Sequence, residues 1–152
     1  MKTITVTNRN EIPENFTGVV KIKETKRNYN KSIKSKYSSI IKSTEWYKEG
    51  TLHRTDGPAI EYTEKYINQQ SEALKTYKQN PSIYYPNLPP VQPKNQFFID
   101  GKNITVTKID IENLIFLGKT KNKYNMEVVS FLSEDKIIEI VIPINYTLSE
   151  VI

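Results

Sequence analysis

The sequence predicts an α+β fold: a single domain of antiparallel β-hairpins in a twisted sheet, with one inserted helix at about 65–79. Three observations predict it. β-branched and aromatic residues alternate with polar ones in several short runs, the period of half-buried strands. Acid–Gly pairs stand between such runs at Glu49–Gly50, Asp56–Gly57 and Asp100–Gly101, where a chain reverses most readily. Only one stretch carries an apolar stripe with helical spacing and a clear stop signal.

The elements follow in chain order. "KTITVTN" alternates Thr with Ile4 and Val6 and reads as a strand. "NRNEIPEN" clusters Asn, Pro and charge and reads as a loop. Alternation resumes in "FTGVVKIKET", a strand at 16–24. The next stretch is rich in Ser, Lys and Asn, which disfavour a stable helix. It reads as a long basic loop leading into a strand at about 37–43. "STEWYKEGTLHRTDGPAIEYTE" reads as strand, turn, strand, turn, strand, with Trp46, Leu52 and Ile60 inward and Gly50 and Gly57 in tight turns. In the helix at 65–79, Ile67, Ala73–Leu74 and Tyr77 form the stripe, and Asn80–Pro81 ends it. Five of the eight prolines then fall between Pro81 and Pro93, an irregular or polyproline-like insertion. "QFFIDGKNITV" is a further hairpin, "TKIDIENLIF" a short helix capped by Thr107, and the stretch at 124–144 a closing hairpin that turns at Ser133–Asp135.

Composition bounds the chemistry. The chain of 152 residues has no cysteine, so disulfides, thiolate metal sites and Cys nucleophiles are excluded. No apolar run approaches the roughly 18 residues of a membrane span. The N-terminus has no apolar core of a signal peptide, and a cytoplasmic protein that touches no membrane is expected. The net charge of +5 is uneven: residues 1–48 hold eleven basic and four acidic side chains, a balance of +7 against −2 for the rest. Nearly all of this charge is Lys, a point charge suited to phosphate or acidic surfaces.

Residues 45–51, "EWYKEGT", align with 96–102, "QFFIDGK": two aromatics, one residue, an acid, then Gly. One hairpin type used twice, at 45–62 and 96–105, is expected. "WYKEGTLHRTDGPAIEY" also resembles a short repeat of phage and large-DNA-virus proteins, aromatic-Tyr-x-x-Gly-x-Leu-His-Arg-x-(Asp/Asn)-Gly-Pro-Ala. The Leu52-His53-Arg54 and Asp56-Gly57-Pro58-Ala59 core carries the resemblance, with one full unit and degenerate flanks. It implies a viral setting and a β-hairpin scaffold; it brings no catalytic activity with it.

His53 is the single histidine, so a His-based metal site lacks further nitrogen or sulfur ligands. A packed His53 and an ion pair of Arg54 with Asp56 or Glu61 account for both residues structurally. Asp110 and Glu112 sit at the spacing that metal-dependent nucleases use, with no third ligand marked. The glycines are isolated turn residues and form no phosphate loop. No catalytic residue, metal or cofactor is therefore expected, and a small metal-dependent nuclease is the third-ranked function.

Two stretches point to binding. Lys21 through Lys42 interleaves Lys31, Lys34, Lys36 and Lys42 with Tyr29 and Tyr37, the composition of backbone contact plus base stacking. Tyr84 and Tyr85 stand between prolines, stiff anchors for protein contact. The expected function is that of a viral accessory protein acting by binding: foremost an inhibitor of a host defence nucleoprotein such as a CRISPR effector, alternatively a nucleic-acid-binding module. The expected partner is a host protein or ribonucleoprotein, with direct nucleic-acid contact as the alternative.

Overall fold

In the computed structural model, residues 1–27, 37–80, 92–106 and 113–151 are described. The expected α+β class holds: antiparallel sheets and one main helix. A five-stranded sheet is built from β1 (Thr3–Val6), β2 (Gly18–Arg27), β3 (Tyr37–Lys48), β4 (Thr51–Leu52) and β5 (Ile60–Tyr62). After the helix α1 (Glu64–Gln79) come a two-stranded hairpin of β6 (Phe98–Ile99) and β7 (Lys102–Asn103) and a three-stranded sheet in the order β10-β9-β8. Its strands are β8 (Ile115–Lys121), β9 (Glu127–Ser133) and β10 (Lys136–Ile142). A last turn of helix, α2 (Leu148–Val151), closes the described chain.

Three expectations need correction. The sheet is not made wholly of consecutive hairpins: β1 pairs with β2 in parallel, Thr3 opposite Val19 through Val6 opposite Ile22. The connection from Thr7 to Thr17, with a 3-10 turn at Arg9–Glu11, is long enough to bring the chain back in the same direction. Strand β2 does not end at 24 but runs on to Arg27, pairing with β3 as far as Tyr37; the strand expected from about 37 is the first part of β3, and residues 28–36 of the expected loop lie outside the described residues. Finally, Ile115 and Phe116 lie in β8 rather than in a short helix. The cap assigned to Thr107 falls outside the described residues, as does most of that segment.

Turn chemistry accounts for the hairpins. Glu49–Gly50 and Asp100–Gly101 have φ of 49 and 84, and of 49 and 80. Positive φ at both central residues matches the twist of the flanking strands. The aligned turns therefore share one conformation. Glu134 and Asp135, with φ of 46 and 67, make the third such turn without any glycine. Gly57 differs: it has no positive φ, and a Cβ there would stand 2.8 Å from Cζ of Arg54. Close approach of the guanidinium, not backbone conformation, favours glycine there: a Cβ would have to displace Arg54 from its present position.

Helix α1 starts at its cap Thr63, whose side chain accepts from Tyr66 N at 3.3 Å. The same residue ties the helix to β3, donating from N to Lys42 O at 3.0 Å and from Oγ1 to Ile41 O at 2.6 Å. Ile67, Ala73, Leu74 and Tyr77 are half-buried, so the expected stripe is the inner face of a helix that buries no residue fully. No described helix is long and apolar enough to cross a membrane.

Two apolar cores result. Val6, Phe16, Val20 and Ile22 form one, with Tyr47 packed against it. Phe97, Val129, Phe131, Ile140, Ile142 and Val151 form the other. The motif segment lies between them. Its main chain donates from Arg54 N to Phe98 O at 3.1 Å, accepts at Leu52 O from Gly101 N at 2.9 Å, and accepts at Thr55 O from Ile144 N at 2.8 Å. Of the residues expected inward, Ile60 is buried. Leu52, opposite Tyr47, is half-buried. Trp46 faces the other way, because Glu45 is opposite Val20 and alternation turns Trp46 to Val19.

Candidate functional site

The motif residues are explained by their local contacts. The Arg54 guanidinium lies 3.8 Å from the centroid of the Trp46 ring, a cation–π stack. Arg54 Nε reaches Asp56 Oδ1 at 2.9 Å, and Nη1 reaches Glu61 Oε2 and Pro58 O, both at 3.1 Å. Both anticipated ion pairs are thus present at once. Arg54 clamps the three-stranded motif unit across Gly57.

His53 joins the two repeated hairpins to the C-terminal sheet. Asp100 N donates to His53 Nδ1 at 3.0 Å. That bond makes Nδ1 an acceptor and places the imidazole proton on Nε2. The Tyr124 ring meets the imidazole edge-on at 4.9 Å, and its hydroxyl donates to Asp100 Oδ2. Lys123 Nζ stands 3.4 Å from the same carboxylate oxygen, and Lys48 Nζ lies over the Tyr124 ring at 5.2 Å. Burial lowers the His53 pKa; Asp100 opposes the shift, and Lys48 and Lys123 add to it. The Tyr124 hydroxyl, with Lys123, lowers that of Asp100.

A histidine whose folded pKa is depressed binds fewer protons folded than unfolded. Its stabilisation is complete above the ordinary value near 6.5 and is lost as pH falls below that value. Melting temperature is expected to rise with pH between about 5 and 7. His53→Gln, whose amide oxygen can accept from Asp100 N without titrating, should flatten that rise and leave partner binding intact. Thermal melts across this range check it; an equal slope in the variant rejects it.

A second polar cluster, which sequence reasoning missed, underlies the N-terminal core. Glu45 is fully buried on the core face of β3. Arg9 Nε bonds both its carboxylate oxygens at 3.1 Å, Arg9 Nη2 bonds Oε2, and the Tyr47 hydroxyl donates to Oε1 at 2.7 Å. The bonds to Glu45 raise the Arg9 pKa; burial, then the bond to Glu45, raise that of Tyr47. Alternation of Ser43, Glu45 and Tyr47 placed Glu45 on the core face. Nothing local named Arg9, thirty-six residues away, as its partner.

Among the residues assigned to binding, Tyr29, Lys31, Lys34, Lys36, Tyr84 and Tyr85 lie outside the described residues, as do Asp110 and Glu112. Tyr37 opens β3 opposite Arg27. Lys42 is engaged at the root of α1, with Nζ 5.2 Å over the Tyr66 ring. The described parts of the basic stretch, up to Arg27 and from Tyr37, form a β-ribbon. Beyond Val6 and Tyr62, the last partners that β1 and β5 supply, β2 and β3 pair only with each other among the described strands. Lys23 to Arg27 carries the ribbon about 15 Å further, at roughly 3.3 Å per residue. Residues 21–42 hold eight basic side chains and one acidic.

No family model, curated protein or solved structure matches the chain. The functional reading therefore rests on its own residues. Among the described residues, no group of three or more His, Asp or Glu is placed to hold a metal ion.

The other unexpected feature is apolar. Ile115, Phe116, Leu117 and Ile137 are exposed by 61%, 55%, 50% and 67%. The signal is present in "LIFLGKTK", a β-rich run whose Gly118 sits beside a register shift in the pairing with β9. The preceding acids and Asn suggest a helix instead.

Proposed function

We propose that this chain acts by binding a nucleoprotein and that the basic β2–β3 ribbon contacts its nucleic acid. The observation that carries this is the ribbon: antiparallel β2 and β3 extend past the strands that flank them, within a stretch, residues 21–42, whose sequence carries net +7. A pair of strands fits a groove about 12 Å wide, and Lys along it neutralises phosphate. The resemblance of residues 46–59 to a viral repeat supports the specific form of this function, inhibition of a host defence nucleoprotein. The engagement of Arg54 and His53 within the fold supports action by binding rather than by catalysis.

Titration of labelled single-stranded and duplex oligonucleotides at several salt concentrations tests it. Replacing Lys31, Lys34, Lys36 and Lys42 together by Ser should weaken binding. The slope of log K against log salt should fall by about 0.7–0.9 for each phosphate that is no longer neutralised. Tyr29→Ala and Tyr37→Ala should cost about 1–3 kcal/mol per stacked base and leave the slope unchanged. Absence of binding at about 50 mM salt, where such interactions are strong, overturns the ribbon's role. A partner held through Tyr84 and Tyr85 would show the reverse ranking, with their truncation abolishing capture and the lysine variant retaining it. Recovery of the partner from host lysate with and without nuclease separates a nucleoprotein from bare nucleic acid.

A further inference from the structure

We infer that the free edge of β8 takes up an extended strand of a partner protein, antiparallel, in which acidic residues precede apolar ones. Among the described residues β8 pairs only with β9, at the end of the three-stranded sheet. An edge strand offers unpaired N–H and C=O groups, and native proteins ordinarily blunt such edges with charge or cover them. Here the first half of the strand does the opposite. Ile115, Phe116 and Leu117 stand at half exposure or more. Ile115 continues a cross-strand row through Leu132 to Ile137, so the apolar surface extends from the edge onto one face. Exposed apolar surface grouped in this way marks an interaction site.

The second half of the strand decides the occupant. Lys119 and Lys121 follow, with Lys123 in the turn just beyond, all exposed. Lys119 is 3.5 Å from Glu127 and Lys123 is 3.4 Å from Asp100. Such solvent-facing pairs are weak and leave the lysines available to a partner. The edge is thus polarised, apolar first and basic after. An antiparallel strand complementary along its length meets the lysines with its own first residues, so its acids come first. The same polarity disfavours a second copy. A two-fold centred on Gly118, the register that uses all of β8, sets Ile115 against Lys121 and Leu117 against Lys119. A two-fold centred on Phe116 uses only the first half of the strand. Main-chain hydrogen bonds would supply affinity and the alternating side chains specificity, as in other strand additions.

The test uses the full chain and an array of synthetic peptides the length of β8, with the acidic half first or the apolar half first, read by fluorescence anisotropy. Acid-first peptides should bind, and the reversed order should bind at least about tenfold more weakly. Amide exchange should slow across residues 115–121 on binding. Leu117→Lys should abolish the binding. Lys119→Glu with Lys121→Glu, which leaves the apolar half untouched, should transfer the preference to peptides that begin with basic residues. The lysine-to-serine ribbon variant should bind the peptides as the wild type does, so the fates of the ribbon and the edge are read separately. Binding of neither order, or of both orders equally, overturns the inference. So does sedimentation of the free chain as a dimer with residues 115–121 already protected, which would identify the occupant as a second copy.

Discussion

Arg9→Ala is expected to destabilise the fold by about 3 kcal/mol, the lower end of the range for removing one partner of a buried ion pair. Glu45 is fully buried, whereas the Arg9 side chain is 58% exposed. Water reaches one side of the guanidinium and moderates the loss. Among the described residues, the carboxylate left behind keeps the Tyr47 hydroxyl as its hydrogen-bond donor, in a setting where an uncompensated charge is costly. Replacing both groups by apolar ones, Arg9→Met with Glu45→Leu, should recover most of the loss, because the desolvation of both charges is then removed as well. Urea denaturation measures both variants, with the midpoint moving at constant m. A loss below about 1 kcal/mol for Arg9→Ala would mean that Glu45 finds another partner or is solvated.

Gly18→Ala is expected to cost about 3 kcal/mol or more, through a different mechanism. Gly18 has φ +150, and a Cβ there would stand 2.3 Å from the Lys2 carbonyl oxygen and 3.0 Å from Cζ of Phe16. The first obstacle is backbone and has no rotamer to adopt. The displaced carbonyl is the acceptor for Val19 N at 2.8 Å, beside the first β1–β2 pair. The substitution should therefore release β1 from the sheet as well as strain residue 18. Amide exchange in Thr3–Val6 should rise together with the fall in global stability. Protected amides in β1 and an unchanged denaturation midpoint would show that the parallel pairing is not where this glycine acts.

What the sequence determined by itself was local. Alternation and turn chemistry placed β1 and β2, the hairpins around Gly50 and Gly101 and the closing hairpin. Each depends on residues within one turn of one another. Helix α1 was legible for the same reason, from its stripe to Asn80. The alignment of Glu49–Gly50 with Asp100–Gly101 was visible as a pattern, and equal φ values show that it is one of conformation.

Tertiary structure alone decided the rest, and the reason is sequence separation. A parallel partner leaves no mark on β1, since the same alternation suits either direction. Arg9 reads as a loop cation until the return of β2 brings it over Glu45. His53, Asp100 and Tyr124 meet only because two turns and a third hairpin end at one place. Nothing local extends β2 beyond 24, where Lys26 and Arg27 interrupt the apolar alternation. Pairing of Thr25–Arg27 with Tyr37–Ser39 of β3 supplies the hydrogen bonds that carry the strand on. The polarity of β8 was written in order as Ile115-Phe116-Leu117 and then Lys119, Lys121 and Lys123. That it is an edge, and hence a surface, is a property of the sheet to which it belongs.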